Sequence, residues 1–150
     1  MPYKEGSYFP ESKHTTMHIE DANPHPAAGY ITVADIPGGF TIPFVTPEAD
    51  DQVRVRMPFA GTLTGWYLGG DDDIVIDVWK DTFANYPPTD ADSVTNSNEP
   101  TLSSATTASA TDLSGWTDAT FDAGDWLVFN VDSVGDSITY ADLAFTFEKD

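Results

Sequence analysis

The chain lacks cysteine, has few cations and contains no long apolar run. Without cysteine among its 150 residues, a disulfide framework, a thiolate metal site and a cysteine nucleophile are all excluded. Lysine and arginine number 6 against 25 aspartates and glutamates, which gives a formal net charge of −19. Such a surface repels the phosphates of nucleic acids and anionic membranes, so we expect neither as a partner.

No apolar stretch approaches the length of a membrane span, and the N-terminus shows no apolar region typical of a signal peptide. We therefore expect synthesis in the cytosol. Hydrophobic residues make up 40% of the chain and aromatic residues 13%, which is a globular composition. The length suits one domain with a core of its own.

Aspartate strongly outnumbers glutamate, with 19 residues against 6. Because aspartate favours turns and caps whereas glutamate favours helices, this balance predicts a β protein rich in loops. Adaptation to a salty environment is a second explanation for the acidity, and composition does not separate the two.

Residues 1–28 differ from the rest of the chain. They carry Pro2, Pro10, Pro24 and Pro26 among mixed polar residues, without a sustained hydrophobic period. This pattern predicts an extended N-terminal arm that becomes ordered only where it lies along another surface. The remaining residues, 29–150, are predicted to form the folded domain.

From Tyr30 onward, apolar and polar residues alternate with the period of two that is typical of β-strands. We expect strands in short runs separated by turn residues, with further short strands around Ser93–Thr95 and Thr101–Ser104. The main predicted runs are YITVADI, GFTIPFV, QVRVRMPF, TLTGWYL, IVIDVWK, WLVFNVD and SITYADLAFTFEK.

Two of these runs carry further expectations. The run IVIDVWK, residues 74–80, has apolar residues on both faces, which predicts a central strand covered on both sides. The acidic GGDDD at 69–73 is predicted to be the loop of a hairpin. With eight or nine strands and no convincing helix, the chain is expected to be all-β, an antiparallel β-sandwich of the jelly-roll type.

The sequence carries no motif of a common catalytic site: no nucleophile elbow, phosphate-binding loop, dinucleotide fingerprint or zinc-protease helix. Its three histidines, His14, His18 and His25, all fall in the predicted arm. We therefore expect no enzymatic activity, no catalytic residue and no cofactor.

Metal sites can be drawn from the acids and histidines, but none matches a fixed spacing, so we expect no bound metal. The zinc candidate is His14, His18, Glu20, Asp21 and His25. The calcium candidates are residues 69–73, or Asp77 and Asp81 with Asp90 and Asp92.

An aromatic platform for sugar rings is another possibility that the residue types allow. Its candidates are Trp66, Trp79, Trp116, Trp126, Tyr67 and Tyr86. Trp79 and Trp126 stand within alternating apolar runs, and Trp66 and Trp116 each follow a glycine that would let the ring pack closely on backbone. Core packing is therefore favoured over sugar binding for the tryptophans.

Four segments together resemble a module that recurs in structural proteins of tailed bacteriophages and prophages. They are PFAGTLTGW at Pro58–Trp66, DVWKDTFANYPPTDADSVT at Asp77–Thr95, PTLSSA at Pro100–Ala105 and the block Trp116–Ser133 that ends in FNVDS. The resemblance runs in order from about Pro58 to Phe147. Residues 1–57 carry none, and the C-terminal tail is more acidic and more aromatic than the module's usual pattern.

The resemblance implies a virion protein, and for a chain of this size it implies a capsid decoration (cement) protein. Such a protein is expected to be a homotrimer that binds the major capsid protein on the outer shell and stabilises contacts between capsomers. The alternative is a carbohydrate-binding module of a tail fibre or tail tip, with Trp66, Tyr67 and Tyr86 stacked on sugar rings.

Candidate partner-binding residues come from two places in the chain. We expect the arm to order its apolar side chains against grooves of a partner. We also expect the proline-stiffened segment after Trp79 to pack back on the sandwich and to contact another subunit. The candidates are Tyr3, Tyr8, Phe9, Met17 and Ile19 in the arm, and Phe83, Tyr86, Pro87 and Pro88 in the segment.

Overall fold

The computed structural model describes residues 38–150. The predicted arm, the strand expected at 30–36 and the domain boundary after residue 28 lie outside this part. The nine strands are β1 (Gly38–Val45), β2 (Gln52–Arg56), β3 (Gly61–Gly70), β4 (Ile74–Asp81), β5 (Thr101–Leu102), β6 (Thr107–Ala110), β7 (Thr120–Phe121), β8 (Trp126–Val134) and β9 (Tyr140–Lys149).

Two single-turn 3-10 segments, Phe83–Asn85 and Asp90–Asp92, lie between β4 and β5. Among residues 38–150 there is no helix long and apolar enough to cross a membrane.

The strands form two antiparallel sheets. The front sheet has the order β1-β9-β3-β6, with short β7 also paired to β3, and the back sheet has the order β2-β8-β4-β5. Four pairings are nested in the sequence: β1 with β9, β2 with β8, β3 with β6 and β4 with β5. A long antiparallel hairpin that is rolled up produces this nesting, and rolling also brings β9 beside β3 and β8 beside β4. The predicted jelly-roll sandwich is confirmed.

The core lies between the two sheets and is rich in aromatic rings. Phe129 of the back sheet and Phe145 of the front sheet stand 5.5 Å apart between ring centroids, and Phe40 packs on both. Most inward side chains of β8 and β9 are fully buried, namely Leu127, Phe129, Val131, Leu143 and Phe145, while Phe147 near the end of β9 is partly buried. Burial of each such side chain contributes about 1.5–3 kcal/mol before the entropy of ordering is subtracted.

The edge strand β2 follows its sequence pattern. Val53 and Val55 are half-buried against the core, while Arg54 and Arg56 are exposed. The strand ends at Arg56, before Pro58, which has no N–H to offer to a ladder.

The predicted hairpin around GGDDD is wrong. Gly69 and Gly70 are the last residues of β3 in the front sheet, and the chain then crosses through Asp71–Asp73 to β4 in the back sheet. The two strands do not pair with one another. Alternating apolar patterns fix which residues face inward, but they do not determine whether successive strands lie in one sheet or in two.

The central position of β4 is confirmed, since it lies between β8 and β5. Its inward residues, among them Ile76 and Val78, join the core. On the opposite face, Trp79 and the neighbouring Val128 are also buried, although they lie outside the main core cluster. The back sheet is therefore covered on its outer side as well.

The cover comes from the long polar segment between β4 and β5. This segment runs along the open edge of β4, where the Val94 amide donates to the Val78 carbonyl at 2.9 Å and the Ile76 amide donates to the Pro100 carbonyl at 3.0 Å. Ser93 forms an isolated bridge with Trp79. The short strands expected near Ser93–Thr95 and Thr101–Ser104 correspond to this bridge and to β5.

Candidate functional site

The carboxylate of Asp77 holds the covering segment in place. Asp77 is 4% exposed and faces the outer side of the back sheet. Its Oδ1 accepts hydrogen bonds from the Val78 amide at 2.7 Å, the Ser93 hydroxyl at 2.8 Å and the Thr95 hydroxyl at 2.6 Å. Its Oδ2 accepts from the indole N–H of Trp79 at 2.7 Å. A buried carboxylate with this many donors is a structural centre.

The loop that follows β4 is built on two further aspartates. Asp81 Oδ1 accepts from the Thr82 amide at 2.6 Å and from the Asn85 side chain at 3.1 Å, which closes the first 3-10 turn. Asp92 accepts from both the amide and the hydroxyl of Thr89, forming a capping box at the second turn. Local hydrogen bonds thus fix the loop at both ends.

The middle of this loop packs back on the sandwich, as its prolines predict. The ring of Tyr86 lies 4.8 Å from the ring of Trp126 on the outer side of β8, and Pro88 is buried. Phe83 and Pro87 point outward, and Phe83 is 68% exposed. Of the four candidate contact residues in the loop, Pro88 therefore supports the loop from beneath, while Phe83, Pro87 and part of Tyr86 form its surface.

The five arm candidates, Tyr3, Tyr8, Phe9, Met17 and Ile19, lie outside the described residues, as do the histidines of the zinc candidate. The calcium candidates lie within the described residues. Among residues 38–150 no three histidine, cysteine, aspartate or glutamate side chains are grouped so that they could hold a metal ion.

The aspartates at 71–73 bind backbone amides of neighbouring loops. Asp71 accepts from the hydroxyl of Thr139 and from the Thr139 amide at 2.9 Å. Asp72 accepts from the Ser137 amide at 2.8 Å, and Asp73 from the Ser104 amide at 2.6 Å. The three carboxylates are directed to donors on three different residues, which explains why three consecutive carboxylates are tolerated here.

The second calcium candidate is dispersed in the same way. Asp77, Asp81 and Asp92 each accept hydrogen bonds from groups of their own segment. These carboxylates therefore stabilise separate turns and strand contacts along the chain.

The tryptophans are mainly structural, as favoured from the sequence. Trp66, Trp79 and Trp116 are buried, and Trp126 is covered in part by Tyr86. The sugar platform of Trp66, Tyr67 and Tyr86 is not assembled. Trp66 and Tyr67 are neighbours in β3 and point to opposite faces, and Tyr86 lies against the outer side of the other sheet.

A different surface appears on the outer face of the front sheet. A depression of about 530 Å³ is lined by Tyr67, Leu68, Gly69, Thr107, Ala108, Ser109, Asp142 and Ala144. Tyr67 lies between Ser109 and Ala144 in the strand register, and Gly69 lies between Thr107 and Asp142. Of these residues, the sequence pattern singles out only Tyr67, as a sugar-platform candidate, and Gly69, within the calcium candidate 69–73, because the lining comes from three strands that are distant in the chain.

Two exposed aspartates have pKa values displaced in opposite directions. The hydroxyl and the amide of Thr139 lower the pKa of Asp71 below its ordinary value. The pKa of Asp132 is raised, because partial burial and the nearby carboxylates of Asp77, Glu99 and Asp90 outweigh the hydrogen bond from Asn130.

The four segments that carry the phage resemblance coincide with this scaffold: β3, β4 with its loop, β5, and the stretch that includes β7 and β8. No family model, curated protein or solved structure matches the chain. Its function must therefore be inferred from its own residues and contacts, together with the resemblance of these four segments.

The structural role of the Asp77 carboxylate can be tested by removing it. Asp77→Ala leaves the Trp79 indole and the Ser93 and Thr95 hydroxyls without their acceptor, so we expect the free energy of unfolding to fall by at least about 2 kcal/mol. Urea unfolding followed by tryptophan fluorescence measures this change. The matched control is Asp136→Ala at an exposed aspartate, which should change stability by less than about 0.5 kcal/mol. Equal effects from the two variants would contradict the assigned role.

The opposite pKa displacements of Asp71 and Asp132 predict opposite effects on stability when each carboxylate is replaced. The lowered pKa of Asp71 means that its charged form stabilises the fold above its ordinary value of 3.8, and that this contribution is lost as the pH falls through the folded-state pKa. Asp71→Asn should therefore reduce stability at neutral pH and weaken its decline in acid.

The raised pKa of Asp132 means that its charge opposes folding at neutral pH, and that this cost disappears as the carboxylate is protonated in acid. Asp132→Asn should leave stability at neutral pH unchanged or raise it. Thermal melts of both variants from neutral to acidic pH provide the measurement. A loss of stability at neutral pH in both variants would disprove the opposite pKa displacements of Asp71 and Asp132.

Proposed function

We propose that the protein is a structural protein of a tailed-bacteriophage virion, and specifically a decoration (cement) protein on the outer surface of the capsid. In this role it is made in the cytoplasm of the bacterial host, assembles as a homotrimer and binds the major capsid protein across neighbouring capsomers. The jelly-roll sandwich and the four resembling segments support this role.

The observation that carries the proposal is the exposed Phe83 on a braced loop. Phe83 is 68% exposed, so a partner that covered its ring would remove a large apolar area from water and gain free energy. The loop is fixed by Asp81, by the capping box of Thr89 and Asp92 and by Tyr86 on Trp126. Little conformational entropy is therefore lost when the ring docks, and an apolar ring held this way is typical of a binding hot spot. The phage module that the chain resembles has Tyr or Phe at this position.

The charge of the chain favours the outer side of the shell. At a net charge of −19 the protein is repelled by packaged DNA, so a position facing the nucleic acid would be unfavourable. On the outer surface the same charge keeps neighbouring particles apart and leaves apolar groups such as Phe83 to form the contact.

Binding to capsids tests this role. Purified particles stripped of the protein would be incubated with the wild type, with Phe83→Ser and with a chain lacking residues 1–28, and bound protein would be measured after sedimentation. We expect Phe83→Ser to weaken binding by about tenfold or more, since a hot-spot aromatic contributes 2 kcal/mol or more. We expect the deletion to abolish binding while the sandwich stays folded by circular dichroism.

Tyr140→Ser is the matched control, because Tyr140 is 49% exposed but lies on the front sheet, away from the loop. It should bind like the wild type. Full occupancy by the truncated chain would disprove a role for the arm. Equal occupancy by Phe83→Ser and the wild type would disprove a role for the loop.

A further inference from the structure

The depression on the front sheet differs from the rest of the surface in having almost no charge. Four rows of outward residues, from the Val45–Tyr140 pair to the Gly39–Thr146 pair, lie on β1, β9, β3 and β6, and Asp142 is the one charged side chain at these strand positions. Asp71 follows β3 at the end of the Val45–Tyr140 row, where it accepts a hydrogen bond from the Tyr140 amide. The other positions carry glycine, alanine, serine, threonine, proline, valine and tyrosine. A chain with 25 acidic residues thus keeps one broad sheet face nearly neutral.

Gly69 at the centre of the depression has no packing reason to be glycine. A Cβ atom at Gly65 would stand 2.8 Å from the Ala110 carbonyl oxygen, and one at Gly70 would stand 3.0 Å from a methyl carbon of Leu102. Both of these glycines are required by close neighbours. A Cβ atom at Gly69 would meet only the Thr106 carbonyl oxygen, at 3.8 Å. Since glycine weakens a strand, its presence here indicates that the space above it is needed.

The groups around this space suit a sugar ring. Tyr67 stands on the same face of β3 as Gly69 and is 46% exposed, so its ring can form a wall for stacking. The Thr107 and Ser109 hydroxyls on one side can donate and accept hydrogen bonds, and the Asp142 carboxylate on the other side can accept two. The volume lies within the range of small-ligand sites.

From these observations we propose that the depression binds a neutral oligosaccharide, stacked on Tyr67 over Gly69 and hydrogen-bonded to Thr107, Ser109 and Asp142. The field of a chain with a net charge of −19 repels anionic ligands such as phosphates and uronic acids, and the lining offers a cation only one carboxylate, that of Asp142. An uncharged ligand rich in hydroxyl groups matches both properties. This site is independent of the capsid contact proposed above.

Binding can be measured by titrating the full-length protein, labelled with ¹⁵N, with cellohexaose, maltohexaose and mannohexaose, and with a galacturonic acid oligomer as the anionic comparison. We expect saturable shifts of the amide signals of Thr107, Ser109 and Asp142 with at least one neutral oligosaccharide, and none with the anionic one. If none of the neutral oligosaccharides shifts these signals, the proposal is wrong.

Three variants locate the site with the oligosaccharide that binds. Gly69→Val places a side chain in the depression, with its Cβ atom 3.8 Å from the Thr106 carbonyl oxygen, and should abolish the shifts while the melting temperature is unchanged or raised. Tyr67→Ala removes the stacking wall and should weaken binding by about tenfold. Tyr140→Ala is the control, because Tyr140 is exposed on the same face but does not line the depression. It should bind like the wild type.

Two outcomes would overturn the site. One is that Tyr140→Ala weakens oligosaccharide binding as much as Tyr67→Ala does. The other is that Gly69→Val keeps oligosaccharide binding but loses binding to capsids, which would make this face a protein contact. Oligosaccharide binding and capsid binding are measured in separate experiments. A negative result in one experiment therefore does not decide the other proposal.

Discussion

One buried carboxylate allows the central strand of the back sheet to be covered on both faces. β4 lies between β8 and β5, and its outer side would expose Trp79 and the neighbouring Val128 if nothing lay over them. The segment after β4 is mostly polar, and its apolar anchors are few: Tyr86, Pro88 and Val94. Asp77 provides the attachment by accepting hydrogen bonds from Ser93, Thr95 and Trp79 at once. The loop that presents Phe83 depends on this attachment.

The acidity of the chain has a structural use in addition to solubility. The aspartates at 71–73 accept hydrogen bonds from amides of three other loop positions, and Asp81 and Asp92 close the turns after β4. Asp118 holds Lys80 in the one salt bridge found among residues 38–150. Carboxylates that accept hydrogen bonds from backbone amides hold the loops in place, as packing against a larger core would do. The exposed apolar Phe83 with Pro87 and the front-sheet depression stand out against this background as candidate contacts.

Much of the fold follows from the sequence because burial imposes a period of two. The patterns of β1, β2, β4, β8 and β9 predict their inward faces, and the doubly apolar run of β4 predicts its central place. The sequence pattern does not predict β6, because the only apolar side chains on the inward side of Thr107–Ala110 are the two small alanines, Ala108 and Ala110. The order of strands within the sheets depends on pairings between residues far apart in the chain. Local sequence patterns do not predict these pairings.

The candidate sites were harder to predict for the same reason. Tyr67 was identified by its residue type, but Asp142, Thr107 and Ser109 reach it only through pairing of β3 with β9 and β6. The loop candidates lie close together in the sequence, and Pro88 alone among them is buried. Their role in binding a partner stays a prediction. The proposed resemblance to phage proteins rests on the scaffold segments, so it bears on the proposed kind of protein and not on a particular contact surface.

The most direct test of the central functional claim is the copy number of the protein in purified virions, measured by quantitative gel electrophoresis against the major capsid protein. A decoration protein that bridges capsomers over the whole shell should be present in numbers of the same order as the major capsid protein. A few copies in each particle would place the protein in the tail, and its absence from purified particles would contradict a virion role altogether.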